Sequence, residues 1–586
     1  MTELHPGLLL IAGASFFPIL RGRMVNLYAL GISLLSLLVV ASLRDGIYLR
    51  ISFLDQNIEL LRVDKLSKAF AYVFCINLLA VELFAFSIRD RYCHGITAAY
   101  AGSSLGAVFA GDLISFYVFW ELMAVSSAFL VLDGRTERAR GAAFRYVMVH
   151  IFGGLCLLAG VLMRITATGS AALEPSANPA AWNWLMLVGI LTNAAAPPLS
   201  AWLSDAYPES SVMGGVVLSA YTTKTAVYAL ARGFPGWEIL VVVGCLMTIY
   251  GIVYALLEND MRRILAYSII NQVGFMVAGV GLGTPMSIDG SVAHAFCHII
   301  YKSLLWMSAG AVLFRTGRRK CTELGGLYRY MPWTLLLCCV GAVSISSFPG
   351  TSGFTSKSLI LEAALHENRF WVWLVLEIAS AGVFLHAGIK FPYFVFFARE
   401  SGLKPMEANK SMIMGMTVLA FLCIFLGLYP APLYNLLPYE VIYEPYRYLH
   451  VVSQLQLLLF SALAFFVFLP LLKRTETISI DTDWFYRKGG RAFQKALDRT
   501  LSWGQQVSRS LVNGGLIPLV GHISREGLAW VAPIVLYPVW TVLGEDREET
   551  AEKVARVRRA VASGAVPIGL GAAAATLLLF VLFVVI

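Results

Sequence analysis

The residues that could do chemistry here are charged side chains near the middle of long apolar runs. Glu121 lies inside LISFYVFWELMAVSSAFLVL (113–132), Lys224 inside SVMGGVVLSAYTTKTAVYAL (211–230), and Lys302 and Lys390 inside two later runs. A charge at the centre of a bilayer helix costs about 2.5–3.5 kcal/mol on insertion scales. A chain that carries several must give each a partner charge, a hydrated cavity, or both. His294, His298 and Lys302 recur every four residues, which places them on one helix face about 6 Å apart. Such a row suits proton movement, because histidine titrates near neutral pH and a buried lysine gives up its proton more easily than an exposed one. Two histidines four apart also suit a metal, but no carboxylate or cysteine nearby completes a site, so none is expected.

Other titratable groups flank this set. His150 lies in YVMVHIFGGLCLLAG, Lys357 and Glu362 follow a break at Pro349, Gly350 and Gly353, and Glu377, His386 and Lys390 share the run 370–398. His150, Lys357, Glu362 and Glu377 are read as accessory. Ser268, Asn271 and Gln272 in 264–283 are equally suited to relaying protons and to bonding neighbouring helices. Glu82, about two turns before Arg89, reads as a helix-end carboxylate reaching for the interface.

The elements that position these groups follow from composition. Of 586 residues, 58% are hydrophobic and 14% charged, against roughly 25% charged in soluble domains. Apolar runs long enough to span a bilayer recur along the whole chain. The net charge of +9 is read as basic cytoplasmic loops facing anionic lipid, not as nucleic-acid binding. The start, MTELHPG, shows no removable signal peptide. Nine scattered cysteines form no C-x-x-C, and no G-x-G-x-x-G or P-loop is present, so neither a redox centre nor a nucleotide cofactor is expected.

Loops carrying Arg21/Arg23, Arg89/Arg91, Arg135–Arg145, Arg262/Arg263, Arg315–Lys320 and Lys473/Arg474 fall on one side of the predicted spans. That side should be cytoplasmic, with the N-terminus outside. The organisation read from this is N-terminal helices (1–95), a first half with Glu121 and Lys224 (96–283), a second half with Lys302 and Lys390 (284–472), an interfacial amphipathic extension (473–562) and a C-terminal anchor helix (563–586). Residues 44–65 read as a small hairpin outside, 488–511 as an amphipathic helix and 545–559 as a solvated charged helix. Gly214 and Gly215 weaken a helix beside Lys224, and Pro392 leaves the Gly388 carbonyl without its helical donor near Lys390. Both patterns predict broken helices with a lysine at the break.

Taken in order, FWEL around Glu121, AWLSDAYPES (201–210), LSAYTTKTAVYAL around Lys224, INQVGFMVAG, HAFCHIIYKSLLWMSAG, GTSGFTSK and DWFYRK (483–488) resemble one family. It is that of the antiporter-like subunits of respiratory complex I, Mrp-type multisubunit Na+/H+ antiporters and membrane-bound hydrogenases, with most likeness to the D-type subunit of the Mrp antiporters. The resemblance covers roughly 70–472. It implies a fourteen-helix core of two inverted five-helix repeats. It also implies a buried Glu121–Lys224 ion pair, a central relay at Lys302 with His294 and His298, and Lys390 as a terminal group on the outer side. Opening the Glu121–Lys224 pair would push a proton on to Lys302. Two positions depart from the family pattern: Ser204 stands where proline is common, and Ser200 stands where histidine is common in Pro-Leu-His.

The expectation is an all-α polytopic subunit that conducts protons along Glu121, Lys224, His294, His298, Lys302, His386 and Lys390, with sodium as the candidate counter-ion. It would work beside other membrane subunits in a bacterial or archaeal cell membrane and would not itself be an enzyme. The alternative within the class is the pump module of a redox-driven complex. A self-contained solute transporter would instead need a polar substrate pocket. A catalytic quinone oxidoreductase would need a redox or nucleotide motif.

Overall fold

The computed structural model describes residues 4–53, 56–176, 179–470, 481–518 and 546–563, with isolated positions between 519 and 545. In order, the elements are α1 (Pro6–Ala14), α2 (Arg23–Ser42), a hairpin of β1 (Gly46–Phe53) and β2 (Gln56–Val63), α3 (Lys65–Phe84), α4 (Arg91–Phe109), α5 (Leu113–Leu132) and α6 (Glu137–Thr168). There follow α7 (Ala181–Asn193), α8 (Ala201–Ala206), α9 (Val212–Leu218), α10 (Thr222–Gly233), α11 (Glu238–Leu257), α12 (Met261–Leu282) and α13 (Pro285–Thr316). The remainder are α14 (Pro332–Ile345), α15 (Ser352–His366), α16 (Phe370–Val383), α17 (Lys410–Leu428), α18 (Ala431–Tyr434), α19 (Tyr448–Val467), α20 (Asp483–Leu511) and α21 (Arg547–Ala562). Among the described residues ten helices are long and apolar enough to cross a membrane: α2, α3, α5, α6, α11, α12, α13, α16 with its continuation to Phe397, α17 and α19. This is a multi-pass membrane protein. The amphipathic and charged helices expected at 488–511 and 545–559 appear as α20 and α21, whereas the anchor expected at 563–586 lies, beyond its first residue, outside the described residues.

Local chemistry sets the helix ends. Asp64, Asp112, Thr136, Asp260 and Thr284 cap the N-termini of α3, α5, α6, α12 and α13 through side-chain oxygens. Gly169, Gly283 and Gly317 close α6, α12 and α13 in the left-handed conformation. Asp112 also accepts the backbone N–H of Glu59 at 2.8 Å, fastening the hairpin to the bundle.

The residues through Asp483 form one compact unit, and those from Trp484 a second. In the first, α12 and α13 are the core. The most apolar stretch of α12 is wholly buried and that of α13 is 94% buried. Peripheral helices are half-buried and keep an apolar stripe outward; on α6 it runs through Phe144, Met148, Leu155 and Leu162, a face suited to lipid.

The charged loops separate onto two ends of the bundle. On one, Arg135 pairs with Asp90, Arg145 with Asp205 (2.6 Å), and Arg319 with both Glu209 and Asp260 (2.8 Å each). Arg315 donates to Asn409 at 2.7 Å, and Asn409 to Ser87 at 3.1 Å. On the other, Arg232 grips Asp64 (2.6 and 2.8 Å) and Arg369 pairs with Glu238. The hairpin belongs to this second end, and His5 reaches the Leu60 carbonyl there at 3.0 Å.

Glu82 corrects one expectation. It is buried rather than reaching for the interface, with Oε2 2.5 Å from Nδ1 of His94. The Nε2 of that histidine lies 2.9 Å from the Ile88 carbonyl. Burial of a carboxylate is offset here by a partner twelve positions away on α4.

Candidate functional site

Lys224 occupies a helix break. The helix α9 ends at Leu218 and α10 begins at Thr222, whose N–H donates to Tyr100 Oη at 3.0 Å. Tyr100 Oη is also 2.6 Å from Thr222 Oγ1. Lys224 Nζ donates to the Ser219 carbonyl at 2.6 Å. The break lies past Gly214 and Gly215, where the sequence points. Gly215 instead allows close packing: a Cβ there would lie 2.1 Å from Arg262 and 2.9 Å from Trp306. Arg262 fills that space, donating to the carbonyls of Ser210 (2.7 Å) and Ser211 (2.9 Å) with its guanidinium over the Trp306 ring.

The expected Glu121–Lys224 ion pair is absent among the described residues. Glu121 turns toward α6, where a Cβ on Gly154 would meet its Oε1 at 2.1 Å, and that oxygen accepts no hydrogen bond. His150, one turn before Gly154, stacks on Tyr146 (3.8 Å between centroids), packs edge-on to Trp202 and bonds the Tyr146 carbonyl through Nδ1. The α5–α6 contact therefore holds Glu121 and His150 apart from Lys224, because the missing side chain of Gly154 opens room on that side.

On α13 the expected stripe forms. His294 and His298 have ring centroids 6.4 Å apart. His294 is 3.2 Å from Gln272 Oε1 on one side and 3.2 Å from Ser356 Oγ on the other. Tyr301 Oη donates to the same Gln272 oxygen at 3.1 Å. Both nitrogens of His298 and Nζ of Lys302 are buried without a hydrogen-bond partner among the described residues. The charge of Lys224 reaches both His298 and Lys302, so the α10 lysine and the α13 stripe are electrostatically one group. Among the described residues no three His, Cys, Asp or Glu side chains gather as a metal site.

The second broken region sits on α14–α16. A loop over 346–351 separates α14 from α15, and a Cβ on Gly353 would lie 1.8 Å from the Ser344 carbonyl. That glycine lets the start of α15 fold against the end of α14. Lys357 Nζ donates to the Ile345 carbonyl (3.3 Å) and Ser380 Oγ (3.4 Å), lies over the Phe275 ring and is within electrostatic reach of Glu377. Glu362 points elsewhere, 3.5 Å from His366 at the helix end. Beyond Val383 the α16 helix widens into π-turns over Phe384–Lys390 and Tyr393–Phe397, on either side of Pro392. His386 bonds the Gly382 carbonyl at 2.8 Å through Nδ1, leaves Nε2 without a hydrogen-bond partner among the described residues, and is reached by the charges of Lys302, Lys390 and Lys357.

Lys390 corrects a further expectation. Its Nζ donates to the carbonyls of Ala255 (3.1 Å), Leu256 (2.6 Å) and Glu258 (2.7 Å), at the end of α11 beside Arg262 and Arg263. It lies toward the basic end of the bundle, not the end that carries the hairpin, because α16 starts at the hairpin end beside Arg369 and its rise of about 1.5 Å per residue carries Lys390 across to the freed carbonyls of the α11 terminus. The buried Glu82–His94 pair and Tyr100, which meets Thr222, are not foreshadowed by the sequence. No local pattern marks them, since each partner comes from a different helix.

Fold and site together define a multi-pass helical membrane protein with lysines and histidines buried in its interior. Residues 110–384 match the family described as "NADH:quinone oxidoreductase/Mrp antiporter, TM". An uncharacterized protein of Methanocaldococcus jannaschii is 30% identical over 55% of this chain and 72% of its own length. The D-type Na(+)/H(+) antiporter subunit of Alkalihalophilus pseudofirmus is 27% identical over 71% of this chain and 92% of its own. In fold, a chain of the archaeal membrane-bound sulfane sulfur reductase complex aligns with a TM-score of 0.70 at 22% identity, over 92% of this chain and 99% of that one. This chain belongs to the NADH:quinone oxidoreductase/Mrp antiporter transmembrane family.

Proposed function

We propose that this chain is the proton-translocating membrane subunit of a multisubunit cation/proton antiporter, with sodium as counter-ion. The observation that carries the reading is the run Lys224, His298, Lys302, His386, Lys390. All five side chains are buried, successive members are within electrostatic reach, and His298 and Lys302 have no hydrogen-bond partner among the described residues. Buried groups of this kind are costly unless hydrated, and a hydrated file of titratable groups conducts protons. Two positive charges this close disfavour each other, so a proton arriving on Lys224 drives one off Lys302 toward His386 and Lys390. Glu121 and His150 would act from the α5–α6 side, and Lys357 with Glu377 from the α15–α16 side.

Basic loops face the cytoplasm in cell membranes, which sets the Arg145–Arg319 end inside and the hairpin and N-terminus outside. The protein works beside other membrane subunits and is not itself catalytic. A second reading, the pump module of a redox-driven complex, is favoured by the archaeal respiratory chain aligning with 92% of this chain, where the likeness to the D-type antiporter subunit covers 71%.

The test is cation-driven proton movement in everted vesicles carrying the intact complex, comparing wild type with Lys302→Ala. Loss of transport in an assembled complex supports the reading, and undiminished transport removes it. Mass spectrometry of the co-purifying chains separates the two forms: iron–sulfur, flavin or nickel proteins among them select the redox-driven one.

A further inference from the structure

Asp481 is nearly wholly buried, 4% exposed, although it follows the last core helix in a polar stretch. Its carboxylate accepts hydrogen bonds from hydroxyls on three different helices. Tyr267 Oη of α12 donates at 2.5 Å, Ser204 Oγ of α8 at 3.2 Å, and Tyr250 Oη of α11 completes the set. The backbone N–H of Thr482 (2.5 Å) and its hydroxyl (3.2 Å) add two local donors. Nearby charges are already engaged: Arg263 pairs with Glu258 at 3.2 Å, and Arg145 with Asp205. The cluster sits at the basic end of the bundle.

From Tyr267 the polar side chains of α12 continue inward. Ser268 follows, with a buried hydroxyl that has no partner among the described residues. Asn271 stands one turn on, and its Oδ1 accepts from Gln272 Nε2 at 2.6 Å. Gln272 Oε1 then faces His294 Nε2 at 3.2 Å. A carboxylate and a phenol thus stand at the basic end and two amides and an imidazole further in, with Tyr267 and Asn271 four positions apart on one face of α12.

We infer that Asp481 is the proton-exchanging group at the mouth of a path that joins the basic end to His294. The inference rests on the proton-translocating reading of the Lys/His line. His294 as the imidazolium gives up the Nε2 proton that faces Gln272 Oε1, and the Asp481 carboxylate takes a proton up and passes it to water outside the bundle. Tyr267 gives a proton as it receives one, and water ordered by the Asn271 and Gln272 amides carries it between Tyr267 and His294, so only Asp481 and His294 change protonation. Thr482 completes the mouth beside Asp481.

The test uses everted vesicles with the complete complex and compares wild type, Asp481→Asn, Asp481→Glu and Lys302→Ala. Asn keeps an acceptor oxygen but cannot carry the proton. The expected result is an assembled complex whose exchange slows about a hundred-fold or more in Asp481→Asn, the lower range for a lost proton-transfer group. Its solvent deuterium isotope effect should exceed that of wild type, and Asp481→Glu should restore the rate. A wild-type rate in Asp481→Asn with an inactive Lys302→Ala overturns this inference alone. Slowing with an unchanged isotope effect, or with a dissociated complex, makes Asp481 a structural strap and also overturns it. A wild-type rate in Lys302→Ala removes the underlying reading.

Discussion

Lys224 Nζ lies 2.6 Å from the carbonyl oxygen of Ser219, a residue of its own broken helix, and makes no ion pair with Glu121 among the described residues. The ammonium is held by a backbone dipole that the break itself exposes. A neutral amine also fits there, donating the same bond, so the lysine can change charge without leaving its place. Lys224→Ala should abolish transport while the complex remains assembled on a native gel. Transport at the wild-type rate in that variant would sink the assignment.

Separation of Glu121 from Lys224 leads to a different expectation for the pair. Residues without contact behave additively within about 0.5 kcal/mol. Thermal unfolding of Glu121→Gln, Lys224→Ala and the double variant in detergent should close as an additive cycle. An interaction energy well above that value would mean that the two side chains meet.

Gly154 is where the Glu121 carboxylate takes its space. Gly154→Ala puts a methyl against Oε1, and such overpacking costs about 1–3 kcal/mol. The variant should unfold at a lower temperature. Combining it with Glu121→Ala, which removes the clashing atoms, should recover most of that loss.

The Asp64–Arg232 clasp, at the end that carries the hairpin, makes stability depend on pH. Burial pushes the Asp64 carboxyl up, but the hydrogen bonds and charge of Arg232 more than offset this and hold it below its usual range. A carboxyl lowered on folding contributes stability that is complete above the ordinary carboxylate range and fades as pH falls through the folded value. The melting temperature should therefore drop as pH goes from 6 toward 3, about the range that spans ordinary carboxyl titration. Asp64→Asn should remove this part of the slope and cost about 2 kcal/mol at neutral pH, as loss of charged hydrogen bonds does.

The position of Lys390 at the end of α11 can be read by chemistry. In a background without the native cysteines, Lys390→Cys should react with a membrane-impermeant thiol reagent in everted vesicles and resist it in right-side-out ones. The reverse pattern would return Lys390 to the outer side.

Much of this is legible in the sequence where the determinant is local. The four-residue spacing of His294, His298 and Lys302 is converted by helix geometry directly into one face. The hairpin and the helix caps likewise depend on neighbours in the chain. Long-range choices are not legible. Gly214 and Gly215 look like a weak point, but Gly215 serves the approach of Arg262 and Trp306, which only the tertiary packing shows. Glu121 has an attractive partner in Lys224, yet the room left by Gly154 turns it away. Ser204, which departs from the family's proline, looks like a loss until Asp481 is found accepting its hydroxyl from 277 positions later. Lys390 lies at the end opposite to the expected one because α16 starts beside Arg369 at the hairpin end and crosses before reaching it, whereas the expectation came from the resemblance.

The two core helices carry a cost during synthesis. With His294, His298 and Lys302 on α13, and Asn271 and Gln272 on α12, neither presents lipid with a fully apolar surface, and both are nearly enclosed by other helices. A segment loaded in this way partitions poorly from the translocon on its own. The transport line therefore enters the bilayer late and in company, after α3, α9 and α11 have supplied walls, and a chain that loses one of those walls should be caught by quality control before any conducting file exists.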